Sequence, residues 1–260
     1  MKYHLGFSQS DLGADAPQSV ILSGEPERSH YIAQTYLANV KLLSQYRGLH
    51  SYLGKLPNGK PILVATSGMG APSLSIVVNE LVQLGIKRFI RVGTSGSIQP
   101  FIAVGDIVIS QGSLCRQGAA LDIAPPEYPA VADPFLTVAL VETARKLNIP
   151  YHLGITASVD SFYEGQERTE SSANPHLQSW LRGITADYRQ LNILNYEMEV
   201  GTLFKMAGVY GFQAACICAI VANRTAGESI VLADKEAAVQ RAIAVAIETI
   251  AQPPYGWSVS

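Results

Sequence analysis

Between residues 61 and 96 the chain spells a strand, a helix and a second strand in direct succession. Residues 61–66, Pro-Ile-Leu-Val-Ala-Thr, are apolar and extended in character. Leu74, Val77, Val78 and Leu81 then recur at helical spacing, and Gly85 stands where a helix C-terminus favours glycine. Phe89-Ile90-Arg91-Val92 follows at once as a short, apolar, β-rich run. A strand–helix–strand unit of this kind places its two strands parallel in one sheet, with helices covering the faces.

The second strand is expected to stop in a tight turn at Gly93-Thr94-Ser95-Gly96. In open α/β sheets ligands bind beyond the carboxyl ends of the strands, and this segment offers unhindered N–H groups and two hydroxyls to an anion. Arg91 inside the strand must either reach an edge or meet a negative partner, such as a bound phosphate beside Thr94. Taken alone, the pattern fits equally well an edge-facing arginine beside an ordinary glycine turn.

The rest of the chain extends the same plan. A strand at 19–22 runs into Gly24-Glu25-Pro26-Glu27-Arg28, with a helix to about residue 37. Asn58-Gly59 between apolar runs at 52–56 and 61–66 marks a hairpin. Further strands are expected at 105–110, 151–158 and 213–222, the last being the longest apolar run, and helices at 135–147 and 233–250. Residues 117–134 read as a long proline-rich loop, and 169–190 have no clear period. Asn195-Tyr196-Glu197-Met198-Glu199 is expected to open a helix running to about residue 208, its glutamates suiting the positive end of the macrodipole. No repeat or linker divides the chain, so one domain is expected over residues 1–252, followed by an appendage at 253–260.

Composition sets limits on function. Of 260 residues 48% are hydrophobic, enough for a large core, and a net charge of -2 argues against a nucleic-acid partner. The N-terminus lacks a signal-like apolar stretch and no run approaches a membrane span, so a soluble cytoplasmic protein is expected. Cys115, Cys216 and Cys218 read as buried reduced thiols. The five histidines show no metal-ligand spacing. No Gly-x-Gly-x-x-Gly, phosphate-binding Walker loop or His-Glu-x-x-His occurs, and Ser97 stands where a nucleophile elbow needs glycine. Several strand ends carry arginine: Arg28, Arg91, Arg168 and Arg224. If these converge, the cleft suits a polyanionic reactant, with catalysis by positioning and electrostatics.

Those strand ends also carry a resemblance. Arg-Val-Gly-Thr-Ser-Gly-Ser-Ile-Gln-Pro at 91–100, Ser-Phe-Tyr-Glu-Gly-Gln-Glu-Arg at 161–168, Asn-Tyr-Glu-Met-Glu at 195–199 and Asn-Arg-Thr at 223–225 resemble the bacterial uridine phosphorylases of the nucleoside phosphorylase family. Gly-Glu-Pro-Glu-Arg at 24–28 and Ala-Pro-Pro-Glu-Tyr-Pro-Ala-Val-Ala-Asp at 124–133 are also similar, so the likeness covers nearly the whole chain. It implies an α/β fold, a single-domain three-layer α/β/α sandwich around a central mixed, mostly parallel sheet. It implies phosphate attack on C1′ of a pyrimidine ribonucleoside, giving free base and ribose 1-phosphate.

By the same resemblance phosphate would meet Gly24, Arg28, Arg91 and Thr94, with Arg47 from a neighbouring subunit. Ribose would meet Thr94, Glu197, Met198 and Glu199, with His4 from a partner at the 5′-hydroxyl. The base would meet Phe162, Gln166, Arg168 and Arg224. Arg168, Gln166, Arg91 and Glu199 would carry catalysis. No cofactor and no metal are implied, phosphate being a co-substrate. Many bacterial members have a glutamate after the residue matching Arg47 as part of a monovalent cation site; Gly48 stands here, so that site is not carried over. Arg47 and His4 acting across an interface imply a homo-oligomer, a dimer or a hexamer built as a trimer of dimers. Purine-directed members usually have a Ser-Asp pair where this chain has Ala222-Asn223, and Ile230 replaces a proline in the loop flanking the base.

Overall fold

The computed structural model describes residues 1–225 and 232–251, the first three of the latter by backbone alone. Ile230 and the appendage at 253–260 therefore lie outside the described residues. The chain forms one domain around a mixed sheet of nine strands. In chain order these are β1 (Ser19–Ser23), β2 (Ala38–Ser44), β3 (Ser51–Lys55), β4 (Pro61–Thr66), β5 (Arg88–Ser97), β6 (Ile107–Arg116), β7 (Tyr151–Val159), β8 (Ile193–Glu197) and β9 (Gln213–Asn223). The helices are α1 (Pro26–Tyr36), α2 (Ala71–Gln83), α3 (Gly118–Leu121), α4 (Pro134–Lys146), α5 (Ile184–Gln190), α6 (Val200–Tyr210) and α7 (Leu232–Ala251).

The strand order is β2-β3-β4-β1-β5-β8-β7-β6-β9, and β9 returns to pair with β5, closing five strands into a barrel from which the other four extend. The pairings β1–β4, β1–β5, β5–β9, β6–β7 and β7–β8 are parallel, and the remainder antiparallel. One apolar cluster joins α2 and α6 to Leu5, Phe7 and the sheet; a second joins α1, α4 and α7 to the opposite face. Helices therefore cover both faces, the three-layer arrangement expected. Among the described residues no helix is long and apolar enough to cross a membrane. All three cysteines are free, with the Cys216 and Cys218 sulfurs buried in β9 and 3.7 Å apart.

Two expectations are corrected where the site lies. Gly93-Thr94-Ser95-Gly96 is not a turn: β5 runs through it to Ser97, held along its length by β9 with one irregularity between Ser95 and Gly96. The continuous parallel partner supplies the backbone bonds that glycine alone would not secure, while Gly93 leaves room for the Arg91 side chain, whose Nη1 would lie 2.0 Å from an added Cβ. Nor do residues 195–199 open a helix. Ile193–Glu197 is the buried strand β8, and α6 begins only at Val200. Asn195 is satisfied inside the sheet by hydrogen bonds with Ser95 Oγ at 2.8 Å and Thr156 Oγ1 at 2.9 Å.

Smaller differences have simple causes. β2 has no sequence signal because it is a largely exposed edge strand with no apolar alternation. The segment 117–134 contains the single turn α3, and 169–190 contains α5.

Candidate active site

The site lies where β5 changes neighbours. β1 pairs with β5 only as far as Ser23 opposite Val92, and β8 joins only at Gly96 and Ser97. Gly93, Thr94 and Ser95 thus face a gap between the end of β1 and the end of β8, while β9 holds the other edge. A cavity of ≈ 290 Å³ opens there. Its walls come from the residues after β1 (Gly24, Arg28), the gap itself (Thr94, Ser95), the end of β8 (Glu197 to Glu199), the end of β9 (Val221, Ala222) and the loop after β7 (Phe162, Gln166, Arg168).

Two buried guanidiniums occupy one end. Arg28 donates from Nη1 to the Val92 carbonyl at 3.2 Å and pairs through Nη2 with Glu25. Burial lowers its pKa against the opposing pull of Glu25. Arg91 pairs through Nη2 with Glu199, both side chains being 5% exposed. Burial opposes the charge on Arg91, but Glu199 and Glu197 outweigh it and hold the guanidinium protonated well above its ordinary range. Arg91 Nε and Nη1 are buried and make no hydrogen bond among the described residues. Such donors are costly unless a ligand takes them, and a tetrahedral oxyanion beside Gly24 and Thr94 would do so.

The glutamates form a layered arrangement. Glu197 Oε2 accepts from the Glu199 and Val200 amides at 2.8 and 2.9 Å, capping α6 from the strand, and Oε1 accepts from Ser158. Burial pushes its pKa up to about 7, with Glu199 adding to the shift and Arg91 opposing it. Glu199, at the N-cap, accepts from the Gly70 amide through Oε1 at 2.6 Å and from Arg91 through Oε2. A carboxylate held this way at a cavity wall can accept from vicinal hydroxyls.

At the opposite end the Arg168 guanidinium lies 4.3 Å from the Phe162 ring centroid and donates through Nε to Gln166 Oε1 at 3.2 Å. Gln166 is buried, whereas Phe162 is 44% exposed and free to cover a flat ligand. A cavity with anion donors at one end, a hydroxyl acceptor in its waist and an amide–guanidinium pair under an aromatic ring at the other fits a nucleoside plus an oxyanion.

Residues 18–251 match the model of the phosphorylase superfamily. The chain belongs to this superfamily. It is 39% identical over 247 residues to a uridine phosphorylase of Thermococcus kodakarensis, spanning 95% of this chain and 86% of that one. A uridine phosphorylase of Escherichia coli is 40% identical over 226 residues, covering 87% of each chain. A purine nucleoside phosphorylase of Bacillus velezensis is 30% identical over 234 residues, covering 89% of this chain and 94% of that one.

Within this phosphorylase fold most of the expected site residues come together: Gly24, Arg28, Arg91, Thr94, Phe162, Gln166, Arg168, Glu197, Met198 and Glu199 all line the cavity. Three do not. Arg224 stacks over Tyr196 at 5.3 Å and lies against Gly96 beside the Arg168 guanidinium, but does not line the cavity. Arg47 is exposed, donating to Tyr3 Oη at 3.3 Å between the Tyr3 and Tyr46 rings. His4 Nδ1 lies 2.8 Å from Glu80 Oε1, and Glu80 also accepts the His4 and Leu5 amides.

Other lining residues escaped the sequence reading. Met69, in the loop between β4 and α2, and Lys235 on α7 have no motif to mark them. Tyr196, within Asn195-Tyr196-Glu197-Met198-Glu199, also lines the cavity, and its hydroxyl meets Thr185 Oγ1 at 3.1 Å.

Proposed function

We propose that this chain catalyses the reversible phosphorolysis of uridine to uracil and ribose 1-phosphate. The reading rests above all on one juxtaposition: buried Arg91 donors with no partner among the described residues, next to Glu199, in a cavity whose far end presents Gln166 and Arg168. Phosphate would sit on Arg28, Arg91, Thr94 and the Gly24 backbone. Glu199 and the Met198 backbone would hold the 2′- and 3′-hydroxyls. Phosphate oxygen then bonds to C1′ as the C1′–N1 bond breaks, and the bonding pair passes to uracil. Charge growing on the uracil oxygens and ring meets Gln166 and Arg168, so the departing base is stabilised without a general acid.

Asn223 supports a pyrimidine over a purine. Its amide donates to the Gln99 and Ile102 carbonyls at 3.2 and 2.7 Å and its Oδ1 accepts from Thr225, which ties the side chain into the fold instead of offering it to a ligand. We further take residues 1–252 as the catalytic domain. The enzyme is cytoplasmic in this reading and uses no resident cofactor, and it is a homo-oligomer in which His4 and Arg47 complete a neighbour's site.

The test is an ultraviolet assay of base release from uridine, deoxyuridine, thymidine and inosine, with and without phosphate. Phosphate-dependent release from uridine, with inosine inert, is the expected result. Equal release without phosphate would make the protein a hydrolase, and preference for inosine would overturn the base assignment.

A further inference from the structure

Gln166 and Arg168 face the cavity, but the residue between them turns away. Glu167 adopts a left-handed backbone, φ 56°, a conformation that glycine and asparagine enter far more readily than glutamate. The turn around it is closed by hydrogen bonds from the Arg168 amide to the Tyr163 carbonyl at 2.7 Å and from the Glu167 amide to the Glu164 carbonyl at 3.0 Å. That backbone sends the flanking side chains inward and the Glu167 carboxylate outward.

The carboxylate has a defined destination. Oε1 accepts from the Gly183 amide at 2.5 Å and Oε2 from the Thr185 amide at 3.1 Å, at the start of α5. Gly183 is the N-cap of that helix and has no side chain with which to satisfy it, so Glu167 supplies the cap from another loop. Thr185 carries the connection further, because its hydroxyl meets the Tyr196 hydroxyl at 3.1 Å and Tyr196 lines the same cavity. One carboxylate thus joins the turn bearing Gln166 and Arg168 to the helix whose Thr185 holds the hydroxyl of another lining residue, Tyr196.

We propose that Glu167 is a positioning residue for base recognition. It touches no substrate, and it fixes the distance between the Gln166–Arg168 pair and Tyr196, so that the amide and guanidinium meet the carbonyl and imide edge of a pyrimidine. The proposal rests on the phosphorolysis reading for the nature of the ligand. Arg28 and Arg91 are on other elements, so the phosphate end is independent of this tether.

Three variants separate the possibilities: Glu167→Gln, Glu167→Ala and Glu167→Gly, each assayed for phosphate-dependent uracil release and for inhibition by uracil. In Glu167→Ala and Glu167→Gly the KM for uridine and the Ki for uracil rise about tenfold, as misplacement of binding groups does. The KM for phosphate stays within about twofold in both, because that end makes the same contacts. Glu167→Gln, which keeps an acceptor of similar length and folds if the others do not, lies between them and the wild type. Glycine keeps the left-handed backbone without strain, so if the turn's shape alone mattered, Glu167→Gly would equal the wild type, and that result overturns the proposal. Unchanged uridine KM, or uridine and phosphate KM values rising together, also overturns it. Wild-type protein that releases no uracil overturns the functional reading instead, and this inference with it.

Discussion

The Arg91 guanidinium and the Glu199 carboxylate form a direct ion pair in the cavity wall, each side chain 5% exposed. The residue assigned to phosphate is therefore held by the residue assigned to ribose. The two ligands of the proposed reaction act on one ion pair. Glu199→Gln releases Arg91 from its counter-charge while keeping an acceptor of similar shape. Phosphate affinity should rise in this variant, since the carboxylate no longer competes for the guanidinium, while turnover of uridine falls about 10- to 100-fold with the loss of a charge-assisted hydroxyl contact. Phosphate titration beside steady-state kinetics checks both halves; weaker phosphate binding would contradict the competition.

Gly93 makes the Arg91 position possible. A Cβ there would lie 2.0 Å from Arg91 Nη1 and 3.0 Å from Cys218 Sγ, leaving the guanidinium no place beneath the strand. Gly93→Ala should lower stability by about 1–3 kcal/mol through overpacking. It should cost about a hundredfold in kcat/KM through displacement of Arg91, with the KM for phosphate affected more than that for uridine. Denaturant unfolding and kinetics together test this, and a fully active Gly93→Ala enzyme would rule out the Arg91 geometry.

The parallel strands β1, β4, β5 and β9 were legible because apolar runs and helical periods mark them directly. Gly24, Arg28, Arg91, Thr94, Phe162, Gln166, Arg168 and Glu197 to Glu199 are legible through their motifs, whereas Met69, Tyr196 and Lys235 are not. Where reading failed, the information lay in partners distant along the chain. Asn195 reads as the opening of a helix until Ser95 and Thr156 stand beside it in the sheet. Gly93 reads as a turn until β9 pairs alongside it and Arg91 fills the space it leaves. Tyr196 has its hydroxyl held by Thr185, on a helix that carries no period of its own.

Glu197 should make stability depend on pH. Its pKa is raised from 4.5 to about 7 by burial, so the folded protein holds a proton that the unfolded chain has released. Its contribution is fully present below about 4.5 and is lost as pH rises toward 7, with a slope of at most about 1.4 kcal/mol per pH unit. Denaturant midpoints of wild type and Glu197→Gln, compared from pH 4.5 to 8, isolate this group from the histidines. The difference between the two proteins should shift in favour of the glutamine variant as pH rises; a constant difference would refute the assignment.

Arg47 and His4 lie on the surface, outside their own chain's cavity. If they complete a neighbour's site, Arg47→Ala and Arg91→Ala should each be nearly inactive alone. Subunits of the two, dissociated and reassembled together, should recover activity in about a quarter of the sites, those pairing an intact Arg91 with an intact Arg47 across the interface. No recovery on mixing would place Arg47 outside the shared site.

The most direct test of the central claim follows the phosphorus. Wild-type protein incubated with uridine and inorganic phosphate is monitored by ³¹P NMR while uracil is measured by absorbance. The account requires a ribose 1-phosphate resonance that grows in step with uracil as inorganic phosphate declines. Uracil formed with the phosphate signal unchanged would mean that water is the nucleophile, and the assignment of Arg28 and Arg91 to a phosphate nucleophile would fall.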